Sequence, residues 1–202
     1  MFTGIVQGRA TVATVEDREG VRSLGLRFPE GALARLTRGA SISVDGVCLT
    51  AVAFDDSTAR FDCIDETLAL TTLGDRRVGD EVNFERAAAF GDEIGGHLLS
   101  GHVVSTVEVV SRTEREANLE LVLRLPEAHV KHVLPKGYVA LDGISLTIGR
   151  VEGDTFSVHL IPETRSATTI DGKHPGDQMN LEVDAMTQAV VATVERVLAA
   201  RR

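Results

Sequence analysis

The sequence predicts an all-β chain: two tandem, similar, small closed antiparallel β-barrels followed by a C-terminal α-helix. Three observations carry this. Shifted by about 97 residues, the 202-residue chain lands on its own copy with almost no slippage. Each copy consists of short Val/Ile/Leu/Thr/Phe runs broken by Gly, Asp and Pro, the pattern of short strands in a small barrel. Only after residue 185 does the apolar spacing change to that of a helix.

The repeat is read residue by residue. Ser43-Val44-Asp45-Gly46-Val47-Cys48-Leu49-Thr50 lies over Ala140-Leu141-Asp142-Gly143-Ile144-Ser145-Leu146-Thr147. Ile64-Asp65-Glu66-Thr67 lies over Ile161-Pro162-Glu163-Thr164. Gly79, Asp80, Asn83 and Glu85 lie over Gly176, Asp177, Asn180 and Glu182, and Gly4 and Val6 over Gly101 and Val103. A constant offset over the whole span means duplication of a domain, and each copy is long enough for its own core.

In order, strands are expected near 4–15, 21–28, 41–54, 59–64 and 81–86 of the first copy, and Leu119–Leu125 alternates clearly in the second. Asp45-Gly46 and Asp142-Gly143 are hairpin-turn dipeptides, because Gly accepts positive φ and Asp bonds its neighbouring backbone. Short helices are expected at 30–36 and 127–133, and short turns or helices at Glu66-Thr67 and Glu163-Thr164. Residues 87–98 read as a linker rich in small residues. The copies are therefore bounded as 1–97 and 98–185, with 186–202 as a helix. Met186, Val190, Val194 and Val197 form an apolar stripe on that helix, which either caps a barrel or meets copies of itself.

A net charge of −9 and the lack of any Lys/Arg-rich run exclude nucleic-acid binding by bulk attraction. No apolar run is long enough to cross a membrane, and Met1-Phe2-Thr3-Gly4-Ile5-Val6 lacks a signal peptide's basic region and apolar core. Cys48 and Cys63 occur in the first copy only, opposite Ser145 and Leu160, so reduced thiols in a cytoplasmic protein are expected.

Met1-Phe2-Thr3-Gly4-Ile5-Val6, Asp45 to Thr50, Gly95-Gly96-His97-Leu98-Leu99-Ser100-Gly101-His102-Val103, Asp142 to Thr147 and Ile161-Pro162-Glu163-Thr164 together resemble the bacterial riboflavin synthase family, alpha chain. The likeness runs from Met1 to the terminal helix, in order. It implies two six-stranded barrels, each holding one 6,7-dimethyl-8-ribityllumazine. One lumazine gives a four-carbon unit to the other, yielding riboflavin and 5-amino-6-ribitylamino-uracil with no metal or organic cofactor. It implies a homotrimer joined through the helices, the reacting pair forming between the N-terminal barrel of one subunit and the C-terminal barrel of the next. Association with lumazine synthase is a further expectation.

The resemblance also implies site residues. Gly4, Ile5, Val6, Cys48, Leu49, Thr50, Asp62, Cys63, Ile64, Asp65, Glu66 and Thr67 are expected in the first pocket. Gly101, His102, Val103, Lys136, Ser145, Leu146, Thr147, Leu160, Ile161, Pro162, Glu163, Thr164 and Arg165 are expected in the second. The residue types suit the chemistry. Carboxylates such as Glu66 and Glu163 accept from ribityl hydroxyls, and Thr50, Thr147 and nearby backbone amides can read a ring edge. Two identical substrates must play unlike parts, and the copies differ where that needs them to: Cys48 opposes Ser145, Ile5 His102, Asp65 Pro162, Leu68 Arg165 and Gly39 Lys136. The lumazine C7 methyl is acidic by delocalisation, so the protein must align two rings and move protons. Water, a ribityl hydroxyl, Cys48 or Ser145 can be the nucleophile, with His102 a proton carrier and Asp184 an acidic residue near the reacting pair.

Blander readings stand beside these. Cys63 reads as core, Asp184 as an N-cap, Lys136 as a turn lysine, and His129, His132 and His174 as solvated. His97 and His102 lack the i, i+4 zinc spacing, and His97 suits the junction between barrels. A binding-only lumazine or flavin accessory of the same fold is the rival function, and a structural oligomer leaves the paired motifs unexplained.

Overall fold

The computed structural model describes residues 1–116 and 118–201. Strands β1 (Gly8–Arg18), β2 (Val21–Arg27), β3 (Ser41–Val44), β4 (Val47–Phe54), β5 (Thr58–Ile64) and β6 (Glu81–Arg86) close a barrel in the order β1-β2-β5-β4-β3-β6. A six-residue helix α1 (Asp65–Leu70) follows β5. Strands β7 (Ser105–Arg115), β8 (Asn118–Arg124), β9 (Tyr138–Leu141), β10 (Ile144–Glu152), β11 (Thr155–Leu160) and β12 (Gln178–Val183) close the second barrel in the order β10-β11-β8-β7-β12-β9. Helix α2 (Pro162–Ala167) follows β11, and α3 (Ala185–Ala199) ends the chain. All pairings between strands are antiparallel among the described residues.

The period-2 pattern explains each barrel. In β5, Ala59, Phe61 and Cys63 point inward while Arg60, Asp62 and Ile64 point out. Ile42, Val44, Leu24, Leu26 and Phe61 fill the first interior, and Leu121, Leu123, Leu141, Ile148 and Phe156 the second. Register shifts at Val12/Thr14 and Ala51/Ala53, and at Val109/Ser111 and Ile148/Val151, bend strands where small barrels need corners.

Several boundaries differ from the sequence reading. The first strand starts at Gly8, not residue 4, because Gly4 at φ +75° and Gly8 at φ +157° turn the chain out of the sheet. Residues 41–54 form two strands, since Asp45 (φ +44°) and Gly46 (φ +82°) make the left-handed pair that a tight hairpin requires. Residues 30–36 form successive turns, with Ala34 bonding Gly31 and Leu36 bonding Leu33, because Gly31 and Arg35 both adopt positive φ. The short helix expected at 127–133 is present as a 3-10 helix over Glu127–His132. His132, expected in solvent, is buried, whereas His174 is exposed.

The two barrels meet along a pseudo-symmetric seam. The Asp45-Gly46 and Asp142-Gly143 turns lie back to back, so close that a Cβ on Gly46 would come within 2.7 Å of the Gly143 nitrogen. Asn83 donates to the Asp142 carbonyl (3.0 Å) and accepts from the Thr169 amide (2.8 Å). Asn180 donates to the Asp45 carbonyl (2.8 Å) and accepts from the Thr72 amide (2.8 Å). The Asp45 carboxylate takes the Asn83 amide and pairs with Arg76 at 2.7 Å, and Asp142 takes the Asn180 amide and pairs with Lys173 at 2.8 Å. All four Asp and Asn side chains are essentially without solvent, so these bonds cannot be exchanged for water without separating the barrels.

Asp45 records this burial in its acidity. Loss of solvent, then the charge of Asp142, raise its carboxyl from 3.8 to about 6, against the pull of Arg76, Lys173 and the Asn83 amide. The folded chain holds this proton more tightly than the unfolded chain. Its contribution is therefore whole below about pH 4 and lost as pH rises through about 6. Urea unfolding of the parent and of Asp45→Asn between about pH 4 and 7 should show the parent's advantage falling with pH and levelling at the top. A pH-independent difference would contradict this.

Candidate functional site

Each barrel is splayed at one place, and it is the same place in both. Strands β4 and β5 pair only from Ala51↔Phe61 to Phe54↔Ala59, so Val47–Thr50 and Asp62–Ile64 do not pair with each other. Strands β10 and β11 pair only from Ile148↔Val158 to Glu152↔Thr155, leaving Ile144–Thr147 apart from His159 and Leu160. The backbone of Ala51 is spent on Ala40 and Gly39, so alternation turns the backbone of Thr50 toward the gap. Ile148 is likewise spent on Gly137 and Lys136, which turns Thr147 toward the second gap. Each gap thus shows a strand edge with no strand partner, flanked by the exposed Ile64 and Glu66 in one barrel and Ile161 and Glu163 in the other.

The loops that close the gaps are exchanged relative to the expected grouping. The Cys48 amide bonds the Gly101 carbonyl (2.9 Å), and Val103 packs on the first core. The Ser145 amide bonds the Gly4 carbonyl (2.9 Å), and Val6 packs on the second core. Gly101, His102 and Val103 therefore stand with Cys48, and Gly4, Ile5 and Val6 with Ser145. Both crossings require glycine: a Cβ on Gly4 would lie 2.5 Å from that of Ser145, and one on Gly101 2.6 Å from that of Cys48. Phe2 bridges Leu99 and packs with Ala140 and Cys48, so residue 97 divides the repeat without dividing the packing.

The remaining expected residues differ in exposure and in partners. Thr50, Thr147, Asp62, Asp65, Glu66, Ile64, Ile161, Pro162, Glu163 and His102 are exposed, with Thr67, Thr164, Cys48 and Ser145 half-buried. Leu49, Leu146, Leu160 and Cys63 have their side chains in the barrel cores, leaving only their backbone to a ligand. Arg165 is committed elsewhere, to Asp171 (2.6 Å) and Glu114 (2.5 Å). Asp62 accepts from the Ser23 hydroxyl at 2.6 Å. Lys136 is held at φ +67°, where the first copy has Gly39 at φ +85°, a conformation costly for a residue with a Cβ. It lines a concavity of about 440 Å³ with Glu120, Arg150 and His159. A larger concavity of about 770 Å³ lies between the barrels beside Arg76 and Lys173, and Arg165, expected in the second pocket, lines it.

Sequence reading placed His97 at the junction but missed its contact. Its Nδ1 lies 2.7 Å from the Ser145 hydroxyl, and its ring stacks on Tyr138 at 5.2 Å. Burial holds the imidazole below its usual value, against Asp184 and Glu182. Asp184 caps α3, accepting from the Thr187 amide (2.8 Å) and hydroxyl (2.7 Å). Burial pushes its carboxyl up, but the Thr187 bonds and His97 hold it below the usual range. Among the described residues no group of three His, Cys, Asp or Glu is placed to hold a metal ion. Among the same residues no helix is long and apolar enough to cross a membrane.

Burial, then the charge of Asp62, push the Cys63 thiol up to about 11. Alkylation follows the thiolate. Peptide mass mapping after iodoacetamide at about pH 8 should find Cys63 unmodified until denaturant is added. Labelling in the folded protein would contradict its place in the core.

The family described as the lumazine binding domain matches residues 3–87 and again 100–184. Riboflavin synthase of Escherichia coli (strain K12) is 47% identical over 202 residues, covering 100% of this chain and 95% of that protein. Riboflavin synthase of Chlamydia pneumoniae is 44% identical over 199 residues, covering 98% of each. The crystal structure of LumP complexed with riboflavin aligns with a TM-score of 0.85 at 26% identity, covering 91% of this chain and 100% of that one.

Proposed function

We propose, for a chain that belongs to the riboflavin synthase family, that each splayed gap holds one 6,7-dimethyl-8-ribityllumazine. The reaction is a dismutation in which one lumazine gives a four-carbon unit to the other, forming riboflavin and 5-amino-6-ribitylamino-uracil. The observation that carries the site is the repeated gap between β4 and β5 and between β10 and β11, each with a threonine backbone facing it. A flat ring with donors and acceptors on its edge can complete such a strand edge, as a further strand would. Riboflavin bound by LumP, on the same fold, supports a flavin-sized occupant.

Within each gap the shared residues do the shared work. Thr50 and Thr147 read the ring edge, and Glu66 and Glu163 accept from the ribityl hydroxyls. The unlike residues give the two ligands unlike parts. The first gap has Cys48 with His102 beside Gly101. The second has Ser145 with His97 at 2.7 Å and Lys136 nearby. His97 can take the proton of the Ser145 hydroxyl, should that hydroxyl add to the acceptor ring at C7. Fixing two rings face to face supplies much of the rate, because it removes the entropy of a bimolecular encounter.

The facing of rings requires another subunit. On α3, Met186, Val190, Val194, Val197 and Leu198 are exposed, although Glu195 pairs with Lys131 at 2.7 Å. Ile64 and Ile161 at the gaps are exposed as well. These surfaces support a homotrimer in which the first gap of one subunit faces the second of its neighbour. We keep 1–97, 98–185 and 186–202 as the units, two for ligands and one for assembly. The free Cys48 and Cys63 suit a reducing compartment such as the cytoplasm. Association with lumazine synthase rests on the family resemblance alone. Identity of 47% over the full chain to a riboflavin synthase favours catalysis over a binding-only role.

Incubating the protein with the lumazine and no added cofactor should produce a growing flavin spectrum. A shifted but static spectrum would overturn the enzymatic reading. Removing the chain from Met186 onward should shrink the assembly on sedimentation and abolish turnover. An active monomer from that truncation would contradict the trimer.

A further inference from the structure

Two buried carboxylates lie on strands that do not border the gaps. Glu85, on β6 of the first barrel, accepts from the Thr3 amide (2.6 Å), the Thr3 hydroxyl (2.7 Å) and the Gly4 amide (3.0 Å). Glu182, on β12 of the second barrel, accepts from the Ser100 amide (2.7 Å), the Ser100 hydroxyl (2.8 Å) and the Gly101 amide (3.1 Å). The two sets agree within 0.1 Å bond for bond. Their side chains are buried, and among the described residues neither makes a salt bridge to a basic side chain. Each carboxylate is satisfied by a loop alone.

The loops do not serve the barrel that holds them. The loop gripped by Glu85 hands its Gly4 carbonyl to Ser145 and its Val6 side chain to the second core. The loop gripped by Glu182 hands its Gly101 carbonyl to Cys48 and its Val103 side chain to the first core. We infer that Glu85 and Glu182 are crossed positioning residues: each is rooted in one barrel and fixes the loop that closes the ligand gap of the other. The inference rests on the reading of the gaps as ligand sites. Only an acceptor on both oxygens suits this role. Three donors converge on each carboxylate, so an amide in its place would turn an N–H toward another N–H.

The test separates the two gaps. Riboflavin, the product, is titrated into the full-length protein while the methyl signals of Ile64 and Ile161 are followed by NMR, one at each gap. In Glu182→Gln the affinity read at Ile64 should fall by about tenfold, as charge-assisted bonds are lost, with that at Ile161 unchanged. In Glu85→Gln the pattern should reverse. Thr3→Val and Ser100→Ala keep the carboxylate and remove one of its donors, together with the hydroxyl that accepts from the Ile5 or His102 amide of the same loop. They should give the same crossed pattern with a smaller change, and they decide the matter if the glutamine variants do not fold. A loss confined to the substituted barrel, an equal loss at both gaps, or no loss overturns the crossed arrangement. If neither isoleucine responds to riboflavin in the unsubstituted protein, the ligand sites themselves are refuted, a result distinct from a failed crossing.

Discussion

The structure depends on one contact: two Asp-Gly turns pressed back to back and locked by Asn83 and Asn180. Each asparagine satisfies a carbonyl and an amide of the opposite barrel, in a place closed to water. Burying such groups is costly unless all are paired, and here they are paired only across the seam. The contact also forces close approach, since neither Gly46 nor Gly143 has room for a side chain. Two barrels that would otherwise be beads on a string are held at one angle and one distance.

That fixed relation makes the exchange of loops possible. The segments at Gly4 and Gly101 reach across the seam, and each ends against the neighbouring barrel's Ser145 or Cys48. The gaps are then neither independent nor identical. Symmetry provides the common frame of strand edge, threonine and glutamate. Divergence inside that frame places a thiol and an exposed imidazole at one gap, and a hydroxyl with a buried imidazole at the other. A dismutation asks for this, because one kind of molecule has to be both donor and acceptor.

Much of the architecture was legible in the chain. The constant offset announced the duplication, Asp45-Gly46 and Asp142-Gly143 announced the hairpins, and Met186 to Val197 announced the helix and its apolar stripe, but not that the stripe is left exposed. The offset says which residues are equivalent but not which barrel a segment leans on. Gly4 packs equally well by local rules in either direction, so the exchange was invisible. The matched Asn83/Asn180 and Glu85/Glu182 pairs were seen as repeats, yet their partners are distant in sequence and their bonds are tertiary. Residues 30–36 looked helical because Ala and Leu favour helices, but Gly31 and Arg35 adopt left-handed backbone there. The contact of His97 with Ser145 spans 48 residues and has no counterpart in the first copy.

Where flavin-like rings sit decides whether the two gaps are the ligand sites. A crystal structure of the protein with riboflavin tests it most directly. Two rings per chain are expected, one along the open edge at Thr50 and Ile64 and one along that at Thr147 and Ile161. A single ring per chain, or a ring lodged in the 770 Å³ concavity beside Arg76 and Lys173, would contradict it.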